Sequence, residues 1–274
     1  MNRHTFNEEI SQLTINLPRA ALLYARAIAY PDLDIDGYLG RIDAIAEQAR
    51  VHIQSSHRLA DRIDGLSDYL FYQANFQGNR ENYYDPLNSY LNEVLDRKLG
   101  VPISLAVVWM TIAQKLGIPA YGVGLPGHFI VGINHPDGHQ LLIDPFNTGL
   151  RLTITDCDRL VREGTGYQGV FQTKWLVPVT PIDLLARMLT NLCHAYIRQE
   201  NWPKAIPVIE HLLVAQPEMD WHLRDLGYVL MYNGSLRLSA QYLEEYLRRN
   251  PEAPDFENVR TSLQIVAGRL ALWN

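Results

Sequence analysis

The segment from Pro102 to Leu116 constrains the fold more than any other part of the chain. It reads PISLAVVWMTIAQKL, with Pro102 at the first helical position and Gly117 just past the last turn. A surface helix shows one apolar stripe; this one is apolar on nearly every face and so belongs at the centre of a core. Its longest near-apolar run, Ile103 to Ala113, carries Ser104 and Thr111 and falls short of the roughly 20 apolar residues a bilayer span requires.

The texture after Gly117 is that of a sheet. Ile118–Val123 reads as a strand, Gly124–Gly127 as a turn, His128–Asn134 and Gln140–Asp144 as two further strands, and Leu152–Thr155 as a weaker fourth. Helix followed by antiparallel meander is an α+β order. The turn Pro136-Asp137-Gly138 suits a three-residue hairpin, Pro at the second position of a type I turn and Gly in the left-handed residue after it. In that register paired residue numbers sum to 274, so Asp144 lies opposite Ile130. With a side-chain period of 2, His128 shares the face of Ile130, and Asp144 becomes its diagonal neighbour. A two-residue turn would put His128 and Asp144 on opposite faces.

Upstream, helical spacing predicts a helix over 17–30, ended by Pro31. More helix is expected over 34–65 from the stripe Ile35, Leu39, Ile42, Ile45 and Ala46. Leu66–Phe76 is apolar and aromatic and reads as buried; Gly78–Leu87 is a polar loop; a helix over Asn88–Lys98 is expected to be capped by Gly100. Downstream, the spacing from Pro217 to Pro251 is that of the tetratricopeptide repeat, whose period is about 34 residues. The same shift aligns Leu192 with Leu226, Cys193 with Gly227, Ala205 with Ser239 and Ile209 with Leu243, with small residues where two helices approach closely. Two repeats and a last helix, Phe256–Leu272, complete the chain. The domain expectation is 1–180 for the α+β part with its N-terminal helices and 181–274 for the repeats.

Two motifs are set aside. Gly122-Val-Gly124-Leu-Pro-Gly127 spells a dinucleotide fingerprint, yet HFIVGI after it reads as strand, where the mechanism needs a helix N-terminus, and Pro126 removes an N–H donor. It is a turn between strands, and no cofactor is expected. His128, His135 and His139 are close in sequence but lack a carboxylate or thiolate partner of the kind zinc sites use, so no metal is expected. A net charge of −6 argues against nucleic acid as a partner. The acidic N-terminus has no apolar core of a secretory signal, and two distant cysteines, Cys157 and Cys193, make no disulfide framework. The expectation is a cytoplasmic protein with no membrane partner.

The stretch RKLGVPISLAVVWMTIAQKLGIPAYGVGLPGHFIVGI, followed by LLIDPF, resembles the transglutaminase-like core, a papain-related fold. In that family a Gly-x-Cys opens a buried helix, an Ala stands four residues after the Cys, and a Gly-Ile-Pro-Ala segment starts fifteen residues after it. Strands then bring a His and an Asp. Here Ala106, Gly117-Ile118-Pro119-Ala120, His128 and Asp144-Pro145 match. The implied logic is a thiolate at a helix N-terminus, a His base and an Asp fixing the His tautomer. Counting back fifteen from Gly117 reaches Pro102, which is no nucleophile. NYYDPLNSYLNEVLDRKLGVPISL, LPGHF and IDPFNTG, followed by the repeats, resemble the SirB1 family over roughly residues 20–272.

The resemblance implies a buried helix packed on a small antiparallel sheet, flanked by N-terminal helices and a tetratricopeptide-like array. It also implies a non-catalytic or weakly catalytic scaffold or regulator, a pseudoenzyme that binds a protein or peptide through the old cleft or the repeats. The alternative is a hydrolase or acyltransferase using Ser104, His128 and Asp144. Two residues along a helix turn a side chain by about 200°, which points Ser104 away from the thiol position; its hydroxyl is then free to bond to local backbone. Tyr84, Asn88, Asn92 and Pro102 are the candidate residues of the binding cleft.

Overall fold

The computed structural model describes residues 4–53 and 57–272, and these divide into two units, 1–188 and 189–274. Residues 54–56 of the helical stretch expected over 34–65 lie outside the described residues.

The first unit begins with helices α1 (Phe6–Ile10), α2 (Leu17–Ile28), α3 (Ile35–Ile53) and α4 (Leu59–Asp68). A π-helical turn, Tyr69–Gln73, runs on from α4. After the polar loop come α5 (Leu91–Arg97) and α6 (Pro102–Lys115). The short strands β1 (Gln77–Gly78) and β2 (Leu99–Gly100) pair in parallel across the loop they enclose. This corrects the expected cap of α5. Lys98 ends that helix in the left-handed conformation, φ +60°, which frees Gly100 to pair with Gly78.

Helix α6 is the centre of this unit. All twelve residues from Pro102 to Ala113 are buried, and the helix touches α2, α3, α4 and α5, the short pair β1 and β2, and two strands of the main sheet. Those strands belong to a four-stranded antiparallel meander, β3 (Ala120–Val123), β4 (Ile130–Asn134), β5 (Gln140–Asp144) and β6 (Leu150–Leu152). The β4–β5 register pairs Val131 with Ile143 and Asn134 with Gln140, the numbers summing to 274, and Gly138 takes φ +87° in the turn. Val123, Ile130 and Leu142 cluster with Cys157 and Val161 of α7 (Ile154–Thr165), so α6 and α7 are both packed on the sheet. The last strand sits at 150–152 and not at 152–155. Thr153 is drawn out of it as the N-cap of α7, where its hydroxyl accepts from Asp156 N and Asp156 accepts from Thr153 N.

The second unit takes in the end of α8 (Pro181–Arg198), then α9 (Trp202–Ala215), α10 (Trp221–Tyr232), α11 (Leu236–Arg249) and α12 (Phe256–Ala271). Helix α11 repeats α9 end for end at the expected spacing, Leu236 standing for Trp202 and Arg249 for Ala215. The aligned small residues mark the helix crossing they were expected to mark. A Cβ on Gly227 would stand 2.5 Å from Leu243, and Ser239 Oγ donates to Gly227 O at 2.7 Å.

The dry centre of the first unit is also tied by polar bonds. Trp109 Nε1 of α6 donates to Ser67 Oγ of α4 at 3.1 Å, and Gly149, at φ +73°, packs so closely that a Cβ there would meet Ser67 Oγ at 2.4 Å. Gly149→Ala therefore combines left-handed strain with a clash on the partner of Trp109. We expect it to destabilise the protein by about 2–4 kcal/mol, read as a lower urea midpoint. A midpoint within experimental error of the parent would contradict this packing.

Candidate functional site

The site forms where the first turn of α6, the start of β4 and the end of β5 meet. Val101 is the N-cap of α6 and its side chain has nothing to offer the free N–H groups of the first turn. Ser104 makes up part of the deficit: its Oγ accepts from Val101 N at 3.0 Å, the return half of a capping box. The same hydroxyl donates to Asn88 O at 2.7 Å, with a longer contact to Val101 O at 3.1 Å. Ser104 is fully buried and its bonds run to Asn88 and Val101, not to His128. Pro102, expected at the thiol position, is buried beside it.

His128 and Asp144 do meet. His128 Nε2 lies 2.9 Å from Asp144 Oδ2, with Asp144 completely buried and the His128 side chain 10% exposed. Asp144 is also the N-cap of a short 3-10 turn, Pro145–Asn147, and its Oδ1 accepts from Phe146 N and Asn147 N at 3.0 and 3.3 Å. Asn147 Nδ2 adds a fourth donor, to Oδ2 at 2.6 Å. Every bond to this carboxylate is one it accepts. Nε2 of His128 is therefore the donor in this pair. Among the described residues no hydrogen bond reaches Nδ1.

Expected as cleft residues, Asn88 and Asn92 lie in the interior, 0% and 2% exposed. The physical reason is the loop above α6, which is held by buried amides. Asn88 Nδ2 donates to Asn82 O and Tyr83 O, Asn79 Nδ2 donates to Asn88 Oδ1, and Asn79 N donates to Gly100 O. Asn92 Oδ1 has no hydrogen-bond partner among the described residues. Tyr84 is 51% exposed and touches Tyr83 edge to face; Tyr83 stands edge-on to Phe146, and Phe146 edge-on to His128. An aromatic row thus links the exposed ring to the His–Asp pair.

Several neighbours escaped sequence reasoning. Arg80 bonds Asn147 Oδ1 and lies over the Phe146 ring. Arg187 of α8, in the first unit, donates to Leu125 O at 2.8 Å and His128 O at 2.6 Å and so fixes the turn that delivers His128; burial pushes its pKa down. Asp144-Pro145 was readable, since Asp before Pro is an N-cap signature. Arg187 left no local signal, because its partners are backbone carbonyls far away in sequence, on the other side of the sheet's last strands and α7. The glycine-rich string is a turn between β3 and β4, as expected, with Gly127 at φ +73°.

At the hairpin tip the His135 and His139 rings stack at 4.3 Å, and the structure adds the carboxylate that the sequence reading did not count: ligand atoms of His135, Asp137 and His139 lie within 4.8 Å of one another. His135 Nδ1 also accepts Asp137 N–H at 3.2 Å.

A family model described as the transglutaminase-like superfamily matches residues 36–190, and one described as tetratricopeptide repeat matches 192–264. The chain belongs to the transglutaminase-like superfamily. It is 34% identical over 253 residues to a UPF0162 protein of Xylella fastidiosa, covering 91% of this chain and 89% of that one. A UPF0162 protein of Vibrio cholerae is 26% identical over 232 residues, 84% of this chain and 83% of the relative. Human F-box only protein 21 is 36% identical over 138 residues, 47% of this chain and 21% of the relative. No solved structure matches. Among the described residues no helix is long and apolar enough to cross a membrane.

Neither cysteine offers a ready thiolate. Both are free and buried, and desolvation pushes each thiol up to about 12. Neither is expected to react with Ellman's reagent at pH 8 in the native protein, and both should react in guanidinium; a rapidly modified native thiol would overturn that. Ser104→Ala leaves Val101 N and Asn88 O without their partner. It should cost about 1–3 kcal/mol, seen as a lower thermal midpoint.

Proposed function

We propose that this chain is a non-catalytic or weakly catalytic member of its superfamily, a cytoplasmic scaffold or regulator that binds a protein or peptide. The observation that carries this reading is the first turn of α6. Pro102 is matched to the thiol position, and the hydroxyl two residues on, Ser104 Oγ, both accepts from Val101 N and donates to Asn88 O. Among the described residues no hydroxyl or thiol hydrogen-bonds to His128. Asp144 has a structural reason to persist, since it caps the Pro145–Asn147 turn whatever His128 does. Tetratricopeptide repeats generally mediate protein–protein interaction, which supports a binding role. Free thiols suit a reducing compartment.

The His128–Asp144 bond itself favours a second reading, a hydrolase or acyltransferase using Ser104, His128 and Asp144. A base held in one tautomer with its other nitrogen open is what a general base needs. A serine-directed fluorophosphonate probe separates the two readings. The scaffold reading expects no labelling of Ser104, in the parent or in His128→Ala. Labelling that disappears in His128→Ala would establish the hydrolase and end the scaffold proposal. In parallel, cross-linking in cells should recover a partner that Ser104→Ala retains and that Tyr84→Ala, on the aromatic row beside the His–Asp pair, or Tyr232→Ala, exposed at the end of α10 in the repeats, loses. A partner retained by both surface variants counts against the two binding surfaces named here.

A further inference from the structure

The repeat unit contains a pocket of about 720 Å³ whose chemistry is specific. Three aromatic side chains line it, Trp202, Tyr228 and Tyr232, together with the carboxylates of Glu200 and Asp225 and no basic residue. Trp202 and Tyr232 stack with centroids 4.9 Å apart and planes 20° off parallel, so α9 and α10 present a fixed aromatic wall. Glu200 makes no ion pair or side-chain hydrogen bond among the described residues. Asp225 gives one oxygen, Oδ1, to Arg224, which Asp255 also binds; Asp225 Oδ2 keeps no such bond. Arg224 is therefore matched by two carboxylates and leaves the pocket acidic.

The backbone at Glu200 adds an independent observation. Glu200 follows α8 at φ +53°, in the left-handed region that a side chain disfavours. The repeat period carries Glu200 onto Gly234, which follows α10 at φ +82°. The second repeat meets this helix-ending position with glycine, as helices commonly do. The first repeat puts a strained carboxylate there, at the rim of the aromatic wall. Strain of this kind persists where the side chain is needed.

We infer that this pocket binds the guanidinium of an arginine in a partner peptide, the ring faces taking the planar cation and Glu200 and Asp225 its N–H groups. Guanidinium combines stacking on aromatic faces with hydrogen bonding to carboxylate better than ammonium does, and the volume exceeds one side chain, leaving room for flanking residues. The inference rests on the repeats acting as the binding module proposed above, and it names what they recognise.

The test uses the full chain and a fluorescein-labelled peptide, Gly-Ala-Arg-Ala-Arg-Ala-Gly, read by fluorescence anisotropy. Saturable binding is expected. It should weaken about tenfold or more when citrulline, neutral and nearly isosteric, replaces arginine. Glu200→Gly is the decisive variant: it installs the residue of the second repeat, so its thermal midpoint should hold or rise while affinity falls several-fold. Glu257→Lys, a charge reversal outside the pocket lining, controls for bulk attraction to an acidic chain. Equal binding of the citrulline peptide, or an affinity unmoved by Glu200→Gly, overturns the inference. Spermidine binding more tightly than the peptide, with the same dependence on Glu200, would assign the pocket to a small polyamine and overturn the peptide occupant. If the arginine peptide binds but cross-linked partners are unaffected by Glu200→Gly, the scaffold reading of the repeats fails and the cation site stands.

Discussion

A helix that is buried on every face from its first turn keeps that turn from water, and α6 makes this the governing constraint of the first unit. Its opening turn carries N–H groups that an amphipathic helix would leave to solvent. Pro102 removes one such donor outright, and Ser104 accepts the N–H of Val101. The hydroxyl that accepts must also donate, and it does so to Asn88 O, which binds the polar loop onto the helix start. From Asn88 the bonds continue through its amide to Asn79, Asn82 and Tyr83. The loop is thus polar in composition and buried in part, because its amides bond to one another and to its own carbonyls while Asn88 O takes the hydroxyl of the helix start.

The same accounting separates structural from chemical meaning in the His–Asp pair. Asp144 accepts four donors, and three of them come from the Pro145–Asn147 turn that it begins. Removing His128 would leave the turn capped; removing Asp144 would leave His128, Asn147 and two backbone N–H groups without an acceptor. An aspartate placed like this has a role in folding whatever His128 does. His128 is different, since its ring rests edge-on against Phe146 and offers one nitrogen to solvent or ligand while the other is fixed. Arg187 then holds the turn before it through two carbonyls. The pair is oriented, and among the described residues no hydroxyl or thiol bonds to it, a state that suits recognition as well as catalysis.

What could be read in advance was set by local rules, and what could not was set by distant partners. The apolar run of α6 announces a central helix because no other placement covers all its faces. Pro136-Asp137-Gly138 fixes the β4–β5 register, and with it the meeting of His128 and Asp144, because one turn type determines which residues face each other. The sheet ends earlier than its composition suggests: β-branched Thr153 and Thr155 look like strand, while Thr153 with Asp156 one helical turn on is a stronger helix-start signal. Gly100 has the look of a helix cap and is a strand residue, because its pairing partner, Gly78, lies on the far side of α5 and the whole polar loop. Asn88 and Asn92 look like cleft residues because they precede the buried helix; both are buried, and for Asn88 this depends on a loop fold that no local pattern announces.

Repetition gives the second unit a means of telling packing from recognition that the first unit lacks. Where the repeats agree, the residues are those that helix crossings demand: Leu192 and Leu226, Ala205 and Ser239, Ile209 and Leu243 are buried in equivalent places. Packing is the same problem in each repeat and receives the same answer. Where they disagree, packing is not the reason. Leu236 is buried in the helical core, whereas Trp202, its counterpart, lines a pocket and stacks on an exposed tyrosine. Gly234 satisfies a left-handed backbone at no steric cost, whereas Glu200 holds nearly the same backbone with a charged side chain. Both departures fall at one place on one unit. A fold that meets a geometric requirement with glycine once and with glutamate the other time is using the glutamate for something besides geometry.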